Sequence, residues 1–158
     1  MQMALPEYEL PTRVLTSAGS FFEVAHPEEV FDVFRRRWVR LTPEERVRQT
    51  LLRWLVDNCG VPAGRVAVEQ SIMVNGTKKR CDAVIYDTGM RPLVIVECKA
   101  PEVRLTQKAF DQAAVYNSVL GVPYLLLSNG TTHFFCKVDI AERRYMQFDN
   151  FPQYGDLL

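Results

Sequence analysis

Two stretches of the 158-residue sequence, RCDAVIYD and PLVIVECKAP, set Asp82, Glu97 and Lys99 inside otherwise apolar, strand-like text. Charge is costly to desolvate in such a place and calls for a partner or a ligand. Side chains at i and i+2 of a strand share a face, so Glu97 and Lys99 project together, with the backbone carbonyl of Cys98 between them. If Tyr86 and Leu93 close a hairpin, antiparallel pairing sets Asp82 directly opposite Glu97. Opposed Cβ atoms lie about 4.5–5.5 Å apart, where two carboxylates repel unless a cation lies between them. Hard cations such as Mg²⁺ or Mn²⁺ take oxygen ligands, and Asp82, Glu97 and the Cys98 carbonyl form such a set. Lys99 adds a compact ammonium that can orient or help deprotonate a water and stabilise charge on a phosphate. The chemistry implied is metal-assisted phosphodiester hydrolysis. The same spacing also suits a plain Glu–Lys ion pair facing an aspartate.

A two-residue turn at Asn75-Gly76 would pair Val74 with Thr77 and so place Glu69 opposite Asp82. Glu69 is then either a further metal ligand or a solvated glutamate at the sheet margin.

These residues need a sheet and something to brace it. Thr42-Pro43-Glu44-Glu45 has the marks of a helix start, with Thr42 as cap, Pro43 in the first turn and Glu45 at the capping-box position. The spacing predicts a helix from about Pro43 to Asn58, with Val47, Leu51, Trp54 and Leu55 as its apolar stripe and Gly60 and Pro62 ending it. Runs at Val66 to Val74, Arg80 to Tyr86 and Leu93 to Cys98 read as an antiparallel meander. Leu105 to Leu120 is a second helix, and the apolar run Pro123 to Leu127 after it is a buried strand, pairing in parallel across a helical crossover. Thr132 to Val138 and Arg143 to Phe148 form a closing hairpin. Before the first helix, Arg13 to Thr16 and Ser20 to Val24 are β-like around an Ala18-Gly19 turn, a hairpin-like arm, while Val30 to Arg40 suits a short helix or an irregular strand. The expected organisation is one α/β domain over 1–158, with an arm at 1–40, a core at 41–150 and a tail at 151–158 that carries turn residues and little else.

Charge balances at 19 basic against 19 acidic residues, so no overall cationic field holds a nucleic acid, and any contact must be local. Lys78, Lys79 and Arg80 form one basic tip beside the Asn-Gly turn. Arg35, Arg36, Arg37 and Arg40 with Trp38, then Arg46, Arg48 and Arg53, could line a backbone track. The four cysteines, Cys59, Cys81, Cys98 and Cys136, show no C-x-x-C pair and read as buried thiols in a reducing compartment rather than a zinc site. No signal peptide or uninterrupted apolar span appears, so the expectation is a cytoplasmic protein without a membrane partner. His26 and His133 lie in unrelated segments with no nucleophile nearby and are assigned to structure.

Asp82, fourteen residues, then Glu97-Cys98-Lys99 resembles the D…E-x-K core of the PD-(D/E)xK nucleases, the restriction-endonuclease-like fold. From about Leu41 to Gly130 the chain resembles the N-terminal nuclease domain of type I restriction enzyme R subunits and their small stand-alone relatives, with LTPEERVRQ, KKRCDAVIYD, LVIVECKAP, FDQAAVYN and LLLSNG in that family's order. The resemblance implies a central mixed sheet, antiparallel meander plus parallel crossover strand, flanked by helices. It implies metal at Asp82 and Glu97 and a catalytic Lys99. Gln112 and Tyr116, one helical turn apart, would contact substrate phosphate or brace the site. A glutamate on the first helix is also implied, for which Glu44 and Glu45 compete, Glu45 having the motif's usual placement. Cys81 stands where the superfamily's proline would be.

No G-x-x-x-x-G-K-[ST] phosphate loop occurs, so the expectation is a nuclease without its own motor, acting alone, as a homo-oligomer or with a separately encoded helicase or methyltransferase. DNA is the expected substrate and RNA stays open. A non-catalytic nucleic-acid-binding or scaffolding module is the rival, against which the intact Asp82, Glu97 and Lys99 weigh.

Overall fold

The computed structural model describes residues 1–14, 28–74, 76–139, 141–142 and 144–158, without the side chains of Val74, Thr77 and Tyr116. The expected strand at 20–24, the Ala18-Gly19 turn, His26, Asn75 and Arg143 lie outside them.

Three strands, β1 (Thr12–Val14), β2 (Glu28–Asp32) and β3 (Arg37–Arg40), make a small antiparallel sheet. The text from Val30 to Arg40 is therefore two strands and a turn rather than a helix. Buried Asp32 makes that turn: its Oδ1 accepts the N–H of Phe34 at 2.8 Å and of Arg35 at 3.2 Å. Helix α1 (Pro43–Cys59) follows, opened by the Thr42 hydroxyl on the Glu45 N–H at 3.0 Å and closed by Gly60 in the left-handed conformation.

The main sheet runs in the order β4 (Val66–Val74), β5 (Thr77–Tyr86), β6 (Pro92–Cys98), β7 (Tyr124–Ser128), β8 (His133–Asp139), β9 (Arg144–Gln147). All neighbours are antiparallel except β6 and β7, which the crossover helix α2 (Gln107–Leu120) joins in parallel. The register is the one expected from the turns: Val74 pairs with Thr77, and Ala83 with Val96. The closing pair differs, because a bulge matches Tyr86 with Pro92 rather than Leu93. The irregularity stays at the hairpin end and does not shift the pairs nearer Asp82.

The sheet separates two apolar layers. Val47, Leu51, Leu52 and Leu55 of α1 pack on Ala83, Ile85, Val94 and Val96, with Trp54 only half-buried beside them. Phe110, Ala114 and Leu120 of α2 cover Val84, Ile95, Leu125 and Leu127 on the other face. The tail holds more than turn residues: it ends in a helical turn, α3 (Tyr154–Leu157), whose Tyr154 and Leu157 join the α1 layer. All four cysteines are free and buried. Burial pushes the thiols of Cys59 and Cys81 up to about 11 and that of Cys136 to about 12. Among the described residues no helix is long and apolar enough to cross a membrane.

His133 has a hydroxyl beside it after all, since the β7–β8 register sets it against Ser128, 2.8 Å from Oγ to Nδ1. Both residues are fully buried, and the second ring nitrogen contacts the Met3 carbonyl at 2.8 Å, so the pair is structural. Burial lowers the His133 pKa below its ordinary 6.5, against the opposite pull of the Met3 carbonyl. In the window between that lowered value and 6.5 the unfolded chain holds more protons than the folded one, so stability rises with pH there. Urea unfolding between pH 5 and 8 should therefore show stability declining below pH 6.5, with a shallower decline in His133→Gln. Equal slopes in the two proteins would remove this assignment.

Candidate functional site

The acids lie on three successive strands, Glu69 and Asp82 within β4 and β5 and Glu97 near the end of β6. The β5–β6 ladder ends at Ala83–Val96, so Asp82 and Glu97 are the next residue on each strand, and the Asp82 carboxylate is near enough to act on that of Glu97. Asp82 is fixed by the main chain of the next strand, its Oδ2 accepting the Cys98 N–H at 2.7 Å. Glu97 is mostly buried, and its Oε1 lies 2.8 Å from the Lys79 ammonium. Burial raises the Glu97 pKa above its ordinary value and the Asp82 carboxylate pushes the same way, while Lys79 opposes both.

Lys99 is exposed, and its main-chain N–H continues the parallel ladder to the Ser128 carbonyl at 2.8 Å. Its side chain lines a cavity of about 330 Å³ together with Glu97, Lys79, Arg80 and Arg104, floored by apolar residues that include Leu105 and Ala109. Arg104 was not singled out from the sequence. Its one signal was position, two residues before the Thr106 cap of α2. Lys78 is exposed at the tip of β5, whereas Arg80 is tied at 3.2 Å to Glu69. Gln112 is exposed on α2 and does not line this cavity. The side chain of Tyr116 lies outside the described residues.

Glu45 and Glu69 enter a different arrangement from the one their positions suggested. The Glu45 carboxylate does not close a capping box but turns inward, where Arg35 Nη2 and Gln49 Nε2 reach its Oε1 at 2.7 and 2.8 Å and Arg48 binds its Oε2. Glu44, its competitor, is exposed. Glu69 adopts a left-handed backbone, φ 50°, which interrupts the β4–β5 ladder between the Val68–Ala83 and Gln70–Cys81 pairs. Its carboxylate faces Arg35 at 3.1 Å, Arg80 at 3.2 Å and Arg48 at 3.6 Å. Burial would raise the Glu69 pKa, but the three arginines bring it below its ordinary value. Arg48 also stands 3.7 Å from Asp82 Oδ1. Arg35 and Arg48, expected on a phosphate track, are thus buried counter-ions, because two acids brought together in an apolar setting must be neutralised.

Among the described residues no three or more His, Cys, Asp or Glu side chains form a metal centre. The donors that fit a hard cation are fewer and of another kind: two neighbouring carboxylates, Asp82 and Glu97, plus the Cys98 carbonyl between Glu97 and Lys99. The ammonium of Lys79 seated on Glu97 shows that this pair already draws positive charge.

Removing Arg48 would leave Glu45 buried with its charge partly uncompensated. Arg48→Met should cost about 3–5 kcal/mol of stability, whereas Met at exposed Arg46 should change it by less than about 0.5 kcal/mol. Urea unfolding of the two variants checks this, and equal midpoints would contradict the counter-ion role.

Comparison with known proteins adds family and fold. No curated protein matches the sequence. Among solved structures, the fragment of an HsdR subunit of a type I restriction enzyme from Vibrio vulnificus YJ016 superposes with a TM-score of 0.51 at 18% identity. The match covers 74% of this chain and 24% of that one, so the present chain corresponds to about a quarter of its length and shares the fold. Residues 43–152, which hold both core helices and the whole six-stranded sheet, match the family described as type I restriction enzyme R protein N terminus. The chain belongs to that family.

Proposed function

We propose that this protein is a metal-dependent endonuclease that hydrolyses phosphodiester bonds in DNA. The observation that carries the reading is that Glu97 and Lys99 line one cavity while Asp82, on the neighbouring strand, lies close enough to act on the Glu97 carboxyl group. Asp82, Glu97 and the Cys98 carbonyl would hold Mg²⁺ or Mn²⁺. A cation bound there lowers the pKa of a coordinated water and polarises the phosphoryl oxygen. The chain's own groups do the rest. The Cys98 N–H keeps one Asp82 oxygen fixed and so aims the other. Lys99 orients the attacking water and meets the charge that grows on the phosphate oxygens. Arg80 and Arg104 line the cavity where flanking phosphates would run, and exposed Lys78 stands nearby on β5. Lys79, which pairs with Glu97, would turn toward substrate if a cation took its place. In this reading Glu45 and Glu69 serve through their arginine partners rather than as ligands, and Gln112 and Tyr116 stay as outer contacts to substrate. Membership in the family supports a type I restriction setting, and the company we propose is a homo-oligomer or a separately encoded helicase or methyltransferase in the cytoplasm.

One observation favours a second reading. The Lys79–Glu97 pair gives the site a cation of the chain's own, as suits a non-catalytic module that holds nucleic acid.

Purified protein should be incubated with supercoiled plasmid, linear duplex, single-stranded DNA and RNA, each with Mg²⁺, Mn²⁺ or chelator. Expected are nicks or breaks in DNA with metal, none with chelator, and a loss on the order of 100-fold or more in Lys99→Ala. Binding that survives Lys99→Ala while no substrate is cut would establish the quiet module instead, and cutting confined to RNA would change the substrate.

A further inference from the structure

The three-stranded N-terminal sheet precedes residues 43–152, the part matched by the family, yet one of its side chains enters the site. Arg35 follows buried Asp32, whose carboxylate accepts the Arg35 N–H and binds its Nε, so the turn itself aims the guanidinium. Its remaining nitrogens meet carboxylates from two other elements, Nη2 with Glu45 of α1 at 2.7 Å and Nη1 with Glu69 of β4 at 3.1 Å. Arg48 serves these same two acids and also Asp82. Its Nε is buried and has no hydrogen-bond partner, so only its outer nitrogens fix where the guanidinium stands.

We propose that Arg35 is a positioning residue of the candidate nuclease site, and that the N-terminal sheet is a working part of that site. Resting on the endonuclease reading above, this assigns Arg35 the task of sharing the charge of Glu45 and Glu69. Arg48 is then left in reach of Asp82. Without Arg35, one buried guanidinium would face both glutamates, and the stronger pull toward them would draw it off Asp82. The left-handed backbone of Glu69 belongs to the same device: side-chain-bearing residues rarely adopt it inside a strand, and here it delivers a carboxylate to the arginines. Arg35 is itself nearly buried, at 12% exposure of its side chain, and so cannot serve as an open phosphate contact. Among the described residues it has no ion pair with Asp82, and Arg48 is the residue that contacts both of its glutamates and Asp82.

The test uses the full chain as wild type, Arg35→Gln, Arg35→Lys, Glu69→Gln and the pair Arg35→Gln with Glu69→Gln. Two quantities are read: the side-chain carboxyl ¹³C resonance of Asp82 in metal-free protein, and kcat and KM for DNA cleavage. In Arg35→Gln the Asp82 resonance should move and kcat should fall on the order of 100-fold, as misplacement of a reacting group produces, with KM little changed. Glu69→Gln in the same chain should restore both toward wild type, because the competing charge on Arg48 is gone. Arg35→Lys keeps the charge without the fork, and smaller changes in the same directions are expected. If Arg35→Gln does not fold, Arg35→Lys carries the comparison alone. An Asp82 resonance that stays put in the folded variant overturns the proposal, whatever the activity. So does a rise in KM with kcat unchanged, or a kcat loss that Glu69→Gln does not relieve. A wild type that cuts nothing defeats the endonuclease reading instead, and the Asp82 resonance then decides the positioning role by itself.

Discussion

Asp32, Glu45, Glu69 and Asp82 crowd around two side chains, and the guanidinium groups of Arg35 and Arg48 are what allow them to stay there. Ionised carboxylates lose hydration when buried, and their mutual repulsion grows as the local dielectric falls. Each guanidinium offers several donors in a fixed plane, so two of them can hold acids from β2, α1, β4 and β5 at once. The network lies between the α1 helix and the open end of the sheet. It therefore ties the N-terminal sheet, α1 and β4 to the strand that carries Asp82, without itself occupying the Lys99 cavity.

This division gives the acids two kinds of work. Glu45 and Glu69 are satisfied by arginine, whereas Asp82 and Glu97 are held close with incomplete compensation. The raised pKa of Glu97 is the mark of that imbalance: burial and a neighbouring carboxylate prevail over one ammonium. Native proteins keep such strain where chemistry or binding draws on it. Glu69, with its unusual backbone on the neighbouring strand, lies at the same place.

Much of the frame was legible because it rests on local rules. Helix caps at Thr42 and Gly60 were readable in the sequence, and the two-residue turn at Asn75-Gly76 gave the β4–β5 register, while the β5–β6 pairing at Ala83–Val96 followed even though its closing pair did not. What escaped depends on contacts far apart in sequence. Nothing near Arg35 or Arg48 announces that they turn inward, since arginine runs are ordinarily solvated. Ser128 and His133 have no motif in common, and only the β7–β8 register brings them together. The helical turn at Tyr154–Leu157 escaped for a related reason: Tyr154 and Leu157 are held by packing on the α1 layer.

The four cysteines are spread over α1, β5, β6 and β8, every one buried and held as the unreactive thiol. Cys98, wholly enclosed, has its pKa raised well above the ordinary 9.0, chiefly by burial, while standing between two residues of the site. A soluble alkylating reagent therefore has no target until the layers part. The rate at which each thiol becomes modified then reports how often its own element opens. The chain carries internal gauges on both faces of its sheet, and one of them reads the motion of the strand that bears Glu97 and leads into Lys99.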